Sequence, residues 1–298
     1  MVRSPFFFVG DKYKLIRQLK VHFPENINTL IEPFCGGGSV FLNTDAKSYL
    51  ANDKNSYMIK LHSFLNSLKN NREKFYENFK NLIIEYGFSA SHYGIFVPDE
   101  LKKNHVKTYY AVFNKEAYVK LREDFNHNKN DMLRLYLLLI YGFNHMLRFN
   151  GNGDFNLPVG NVDFNRNKFN ALEAYFNFIE QNEIVFYEGD FEEFLNKIEF
   201  KQNDFVYLDP PYLISDCEYN KSWTYEHDER LLKAIDRLND KGIKFALSNV
   251  FIHKGKENTE LRKWAEKYYI IDIKSNYISY HNNSIKNTHE VLITNCKR

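Results

Sequence analysis

Apolar positions along the chain repeat with two different periods, and each period predicts a different kind of element. Short runs of apolar, β-prone residues predict strands, whereas apolar residues three and four apart predict helices. Both patterns occur near the start, with predicted strands at 28–34 and 47–52 and a predicted helix from residue 56. They alternate again after residue 170, where the predicted elements are helix 171–181, strands 183–189 and 204–209, helix 228–242, strand 243–249, helix 260–268 and strands 269–276 and 290–295. Strands that alternate with helices predict an α/β fold.

The middle of the chain follows a different pattern and is predicted to be an insertion. Residues 68–170 contain 15 Lys and Arg residues against 11 Asp and Glu residues, together with many Tyr, Phe and Asn residues. A helical pattern at 110–125 and an apolar stretch at 132–149 lead into a turn-rich stretch at 147–161. We therefore predict a catalytic domain in two parts, at 1–67 and 171–298, that is interrupted by a mainly helical insert at 68–170.

Composition and charge narrow the possible classes of protein. The formal net charge is only +2, so a surface that binds nucleic acid would have to be a local patch. Cys35, Cys217 and Cys296 lack the spacing of a zinc site or a disulfide framework, and no metal is expected. The longest apolar run, at 135–143, is about half the length of a membrane span. We expect a cytoplasmic protein that does not contact membranes.

A glycine cluster follows the first predicted strand. Pro33 and Phe34 end that strand, Gly36, Gly37 and Gly38 come next, and Asp53 follows the second strand. Glycines let the backbone approach a ligand, and an acid at the tip of the second strand is placed to accept hydrogen bonds from ribose hydroxyls. The pattern fits an adenosine-containing ligand, although a flexible turn beside a solvated Asp is the plain alternative. No Lys-Ser/Thr pair follows the glycines, so the loop is not a P-loop.

The strand at 204–209 runs directly into Asp209, Pro210, Pro211 and Tyr212. An ionised Asp only accepts hydrogen bonds, and the two prolines contribute carbonyl groups without competing N–H groups. Such a tip can accept both hydrogens of a primary amine on an aromatic base, while Tyr212 stacks on the base. This is catalysis by positioning and electrostatics. The alternative is a strand that simply ends in a Pro-Pro turn.

The order EPFCGGGSVF, Asp53, basic insert and DPPY resembles the α-group adenine-specific DNA methyltransferases, the family of the Dam, DpnM and EcoRV methylases. The resemblance implies a Rossmann-like sheet that uses S-adenosylmethionine to methylate the 6-amino group of an adenine flipped out of duplex DNA. It assigns catalysis to Asp209, Pro210, Pro211 and Tyr212. The implied cofactor contacts are Phe8, Lys12, Pro33, Phe34, Gly36, Gly38, Asp53, Asp190 and Asp209.

The resemblance makes the insert at 68–170 the target-recognition domain that binds DNA, and its turn-rich stretch 147–161 is similar to a hairpin with which this family contacts DNA. The positions that match are Arg148, Asn150, Gly153 and Asn156, and Arg and Asn side chains read guanine and adenine edges. Phe149, or another apolar group nearby, is expected to wedge where the base leaves the duplex. The family resemblance also implies a monomer in a restriction-modification system, with a cognate endonuclease encoded nearby.

Two other functions fit parts of the same pattern. A related strand tip serves methyltransferases that act on RNA or on a protein glutamine, although Asp209 in place of Asn favours adenine. A DNA-binding module with an inactive catalytic centre is the third possibility, and the intact DPPY sequence argues against it.

Overall fold

The computed structural model describes residues 1–215, 223–274 and 288–297, so Cys217 lies outside the described residues. The chain forms two compact units. Unit 1 comprises Met1–Asp11, Gly36–Leu42 and Asn55–Asn182, and unit 2 comprises Lys12–Cys35, Asn43–Lys54 and Glu183–Arg298. Each unit is described by itself.

Unit 2 is built on one mostly parallel sheet. Its strands are β1 Ile27–Glu32, β2 Ala46–Asp53, β3 Ile184–Glu188, β4 Phe205–Leu208, β5 Lys244–His253, β6 Lys256–Glu257, β7 Tyr269–Ile273 and β8 Thr288–Thr294. They are ordered β3-β2-β1-β4-β5-β8-β7, with β6 paired to β5. β1 to β5 are mutually parallel, whereas β8 runs antiparallel to both β5 and β7. The predicted α/β fold with a Rossmann-like sheet is confirmed.

Helices cover this sheet because its central strands are apolar on both faces. All four residues of β4 are buried, which is the pattern of a parallel strand inside an α/β protein. The helices of unit 2 are α1 Ile16–Lys20, α8 Phe191–Asn196, α9 Tyr225–Asp240 and α10 Thr259–Ala265. Leu231 and Ile235 of α9 pack with Val206 and Phe245 of the sheet in one continuous core.

The strand order fixes where a ligand can bind. The chain leaves β1 towards β2 and β3 on one side, and then crosses to β4 and β5 on the other side. Open α/β sheets bind ligands outside the carboxyl ends of their strands at such a reversal. In unit 2 this point lies between β1 and β4, where Ile31 pairs with Val206. The segments that continue from these two strands begin with Pro33 and Asp209.

Unit 1 is helical and has an aromatic core. Its helices are α2 Ser56–Ser67, α3 Arg72–Tyr86, α4 Asp99–Asn104, α5 Tyr109–His127, α6 Met132–Tyr141 and α7 Arg166–Gln181. Every residue of α6 from Leu135 to Tyr141 is buried, so this apolar stripe is core, and α6 ends before Gly142. No helix in the described ranges is long and apolar enough to cross a membrane.

The boundaries of the two compact units differ from those of the predicted domains. α2 and α7 lie in unit 1, whereas the predicted boundaries place residues 1–67 and 171–298 in the catalytic domain. The predicted boundaries follow composition and charge along the chain, and the units follow contacts in space. The assignment of DNA reading to 68–170 therefore stays a prediction.

Candidate functional site

The centre of the candidate site in unit 2 is an ion pair. Lys12 Nζ lies 2.9 Å from Asp209 Oδ1, and the side chains of Lys12 and Asp209 are only 5% and 20% exposed. Burial raises the pKa of Asp209, and the charge and hydrogen bond of Lys12 oppose that rise, as does the Tyr212 hydroxyl. Lys12 therefore opposes the effect of burial on the pKa of Asp209 and favours the ionised carboxylate.

Tyr212 is held beside this pair. Its hydroxyl donates to Asp209 Oδ1 at 3.3 Å and lies 3.5 Å from Glu290 Oε1 of β8. The Lys12 ammonium lies 5.2 Å from the centre of the Tyr212 ring. Tyr212 and Lys12 both contact Oδ1 of Asp209. The residue directly after β4 thus presents a carboxylate that two neighbours orient.

Tyr207 supports the strand tip from within the sheet. Its hydroxyl lies 2.7 Å from Ser248 Oγ of β5, and both residues are buried. Burial raises the pKa of Tyr207 well above its usual value, and the negative charge of Asp209 raises it further. The phenol therefore stays neutral and ties β4 to β5 two residues before Asp209.

The ends of β1, β2 and β3 are joined by one side chain that sequence reasoning did not select. Asn52 Nδ2 donates to the carbonyl oxygens of Pro33, at 2.9 Å, and Gly189, at 3.1 Å. The N–H of Cys35 donates to Asn52 O at 2.8 Å, and the N–H of Gly189 donates to Asp53 O at 3.2 Å. These bonds bring three predicted cofactor segments to one edge of the sheet. The signal in the sequence was a polar residue inside an otherwise apolar strand end.

Phe34 and Asp190 lie at the same edge. The Phe34 ring packs against Phe191 and Trp223, with ring centres 5.2 Å and 5.7 Å away. Asp190 caps α8 by accepting hydrogen bonds from the N–H groups of its first turn, and Arg230 Nη2 donates to Asp190 Oδ1 at 2.6 Å. Burial acts to raise the pKa of Asp190, but the bonds from Arg230 and the backbone outweigh it and lower the pKa. Its predicted contact with a cofactor stays a prediction.

The glycine loop, Gly36–Gly38, belongs to unit 1. Gly36 and Gly38 have φ values of +47° and +78°, which favour glycine. A Cβ atom at Gly38 would lie 2.4 Å from the Phe41 ring, and one at Gly37 would lie 3.1 Å from Phe8 Cβ. Position 38 therefore has no room for a side chain, and Phe8 lies directly against the loop.

Four hydrogen bonds are made to the C-terminal end of α6, after which the segment with the predicted DNA hairpin begins. The last four carbonyl groups of α6 accept hydrogen bonds from the Tyr118 hydroxyl, His145 Nδ1, Lys168 Nζ and the Gly160 N–H. Bridges between Gly142 and Val159 and between Phe149 and Phe155 then pair the two arms. The predicted two-armed structure is present within unit 1.

The residues predicted to contact DNA lie together in this hairpin. Arg148 Nε donates to Asn156 Oδ1 at 2.9 Å, and Arg148 Nη2 donates to Asn156 O at 2.7 Å. Asn150 Oδ1 accepts from the N–H groups of Asn152 and Asp154, and Gly153 has a φ of +75° in the same turn. Asn156 thus orients Arg148 across the hairpin, whereas Asn150 and Gly153 shape its turn.

Two Phe residues differ in how available they are as a wedge. Phe149 is stacked on Tyr57, with ring centres 4.2 Å apart and an angle of 12° between the ring planes, so Tyr57 covers one face of the Phe149 ring. Phe143 is 50% exposed. Its neighbours Asn144 and His145 have φ values of +52° and +51°, a conformation that costs free energy in non-glycine residues. The sequence had marked this region only as an apolar stretch.

Comparison with known proteins agrees with this arrangement. The family model of the D12 class of N6 adenine-specific DNA methyltransferases matches residues 8–278. The type II methyltransferase M.FokI of Planomicrobium okeanokoites is 34% identical over 306 residues, and the modification methylase StsI of Streptococcus sanguinis is 33% identical over 308 residues. Both alignments cover 99% of this chain but only 43% of the relative, so the chain spans less than half the length of these two proteins. The DNA adenine methylase of Escherichia coli K12 is 30% identical over 251 residues, which are 81% of this chain and 78% of that protein.

The match of the family model to most of the chain agrees with the DPPY strand tip and with the parallel sheet that carries it. The chain belongs to the D12 class of N6 adenine-specific DNA methyltransferases.

Proposed function

We propose that this chain transfers a methyl group from S-adenosylmethionine to the 6-amino group of an adenine that has left duplex DNA. The observation that carries the proposal is the Asp209 carboxylate. It is nearly buried, it is paired with Lys12 at 2.9 Å, and it follows β4 at the reversal of strand order. A member of this family with that strand tip intact has the acceptor that an aromatic amine requires.

The residues present fit an adenosyl cofactor. Asn52 is 1% exposed and its Oδ1 has no hydrogen-bond partner among the described residues, which leaves a buried acceptor beside Asp53. Gly36 and Gly38 have positive φ values, so the loop makes a turn in which side chains do not cover the backbone at these two positions. In unit 2 we assign cofactor contacts to Lys12, Pro33, Phe34, Asp53, Asp190 and Asp209, and in unit 1 to Phe8, Gly36 and Gly38. When bound, S-adenosylmethionine supplies a methyl group on a positively charged sulfur.

Asp209 and the carbonyl of Pro210 accept the two hydrogens of the adenine amine. The lone pair of that nitrogen is delocalised into the ring, so acceptors that favour a pyramidal nitrogen make it a better nucleophile. Pro210 and Pro211 keep the tip stiff and add no N–H that would compete for Asp209. Tyr212 holds the base by stacking on it. The protein thus contributes position and charge, with no covalent intermediate.

The hairpin at 147–161 is proposed to read DNA. Arg148, fixed by Asn156, has guanidinium N–H groups beyond the two that Asn156 accepts, and Arg reads guanine through paired donors. Asn150 and Gly153 hold the turn close to the backbone of the duplex. Phe143 is the better wedge than Phe149, because Phe149 is stacked on Tyr57 and Phe143 is half exposed.

We also propose a cytoplasmic, monomeric role in a restriction-modification system with an endonuclease encoded nearby. The support for the restriction-modification role is the naming of M.FokI as a type II methyltransferase and of StsI as a modification methylase. Genomic neighbours would test that role, and a sedimentation measurement would test the monomeric state.

The experiment that tests the reaction follows a labelled methyl group. The protein is incubated with methyl-labelled S-adenosylmethionine and duplex DNA, and the DNA is digested to nucleosides and separated. We expect label in N6-methyl-2′-deoxyadenosine and in no cytosine product. Label in RNA or in protein, with none in DNA, would replace this proposal with one of the other methyltransferase functions.

A further inference from the structure

His62 of α2 is a fully buried polar side chain that the proposed reaction does not use. Its Nε2 lies 2.8 Å from the carbonyl oxygen of Gly36, and its Nδ1 lies 2.8 Å from the Tyr175 hydroxyl of α7. The exposed fraction of His62 is 0%. All of these residues belong to unit 1.

The partners of His62 fix its tautomer. A carbonyl oxygen can only accept, so Nε2 carries the hydrogen and donates it to Gly36 O. Nδ1 is then an acceptor and takes the hydrogen of the Tyr175 hydroxyl. Burial lowers the pKa of His62 to about 4, so the ring is neutral and can play both roles. Phe6 packs edge-on against the imidazole with ring centres 4.6 Å apart, which fixes the orientation of its plane.

Holding the Gly36 carbonyl determines where the next N–H points. In a trans peptide the C=O of one residue and the N–H of the next point in opposite directions. The bond to His62 therefore directs the Gly37 N–H away from His62. Ser4 Oγ donates to Gly37 O and directs the Gly38 N–H in the same way. No hydrogen bond within the described part of the chain uses either N–H. Successive backbone N–H groups of this kind form a binding site for an acidic group.

We propose that His62, oriented by Tyr175, is a positioning residue that aims the N–H groups of Gly37 and Gly38 at the carboxylate of the amino-acid part of the cofactor. The inference rests on the proposed function, since it assumes that S-adenosylmethionine binds to the glycine loop. Ser4 has the same role at the next peptide unit. His62 itself does not touch the cofactor.

The test measures the affinity for S-adenosylmethionine by calorimetry in a matched pair of variants. His62→Leu keeps the approximate volume but removes both hydrogen bonds, whereas His62→Gln keeps an amide N–H near the position of Nε2. We expect about a ten-fold loss of cofactor affinity in His62→Leu and a loss of less than about three-fold in His62→Gln. DNA affinity is expected to be unchanged in both.

Two further variants separate positioning from folding. Tyr175→Phe removes the hydroxyl that donates to Nδ1 and is expected to weaken cofactor binding by about three-fold, even if His62→Leu does not fold. Asn114→Leu is the control, because Asn114 is also buried in unit 1 and bonded to Ser89. It is expected to lower the melting temperature with no selective effect on cofactor affinity.

The outcomes of these measurements test the role of His62 separately from the proposed function. Equal cofactor affinity in wild type, His62→Leu and Tyr175→Phe would overturn the role of His62 and leave the proposed function intact. Equal losses in His62→Gln and His62→Leu would also overturn it, since packing alone would then explain both. A wild-type protein that binds no S-adenosylmethionine would remove the proposed function together with the inference.

Discussion

At the scale of single residues, charge decides whether the candidate site is ready for chemistry. Asp209 must be ionised to accept hydrogen bonds from an amine, yet burial raises its pKa. Lys12, 2.9 Å away, provides the opposing charge. Neither effect is visible from the DPPY sequence alone, because Lys12 and Asp209 are 197 residues apart along the chain.

Lys12→Met is predicted to move the acidic limb of the pH–rate profile to higher pH. Removal of the ammonium group removes the largest interaction that lowers the pKa of Asp209, so a larger fraction of Asp209 is protonated at a given pH. The rate of methyl transfer in a single turnover, measured across pH, checks this. Lys12→Arg is the control, since it keeps the charge and should leave the limb close to its wild-type position. An acidic limb at the same pH in Lys12→Met and wild type would rule out this role for Lys12.

His62 is predicted to make unfolding dependent on pH. Its folded-state pKa is about 4 against 6.5 for an ordinary His, so between these values the unfolded chain takes up a proton that the folded chain does not. The contribution of His62 to the free energy of unfolding is fully present above pH 6.5. It is lost as the pH falls towards 4, and the loss reaches up to about 3 kcal/mol. Denaturant unfolding of wild type and His62→Gln at several pH values measures it. The variant should show the flatter curve in that range, and parallel curves would contradict the assignment.

At the scale of elements, the periodic patterns predicted strands well and element ends poorly. The strands expected at 28–34 and 47–52 are observed as β1 and β2, because their alternation and apolar runs are local signals. Helix α3 was not predicted, although Phe75, Phe79, Leu82 and Tyr86 have helical spacing. The end of α6 before Gly142 could not be predicted, since the Gly160 N–H donates a hydrogen bond to the carbonyl oxygen of Tyr141 across the hairpin. Such contacts join residues that are distant in sequence.

Replacement of Phe143 and of Phe149 by Ala is predicted to affect different properties, base extrusion in the first case and stability in the second. Phe143→Ala should reduce the extrusion of the target base while the melting temperature stays near wild type, because Phe143 is half exposed. Phe149→Ala should lower the melting temperature, because it removes the stack on Tyr57. Fluorescence of 2-aminopurine at the target position measures extrusion. Full extrusion in Phe143→Ala would show that another group acts as the wedge.

At the scale of the whole molecule, family membership and sheet topology support the same reading of the chain. The sequence motifs predicted the class of protein, and the order of strands in unit 2 explains why Pro33, Asp53, Asp190 and Asp209 reach one edge of a sheet. The contacts of Asn52 and the exposure of Phe143 were not predicted, because only the folded chain defines them. With a net charge of +2, DNA affinity has to come from a local surface, and the charge count alone does not locate it.

The most direct test of the central claim is the single-turnover rate of methyl transfer to adenine N6 by Asp209→Ala, measured together with its affinities for cofactor and DNA. If Asp209 polarises the adenine amine, the rate at saturating cofactor and DNA falls by about a thousand-fold or more while the dissociation constant for DNA stays within about three-fold of wild type. Turnover near the wild-type rate would contradict the claim, and so would a loss explained entirely by weaker binding of cofactor or DNA.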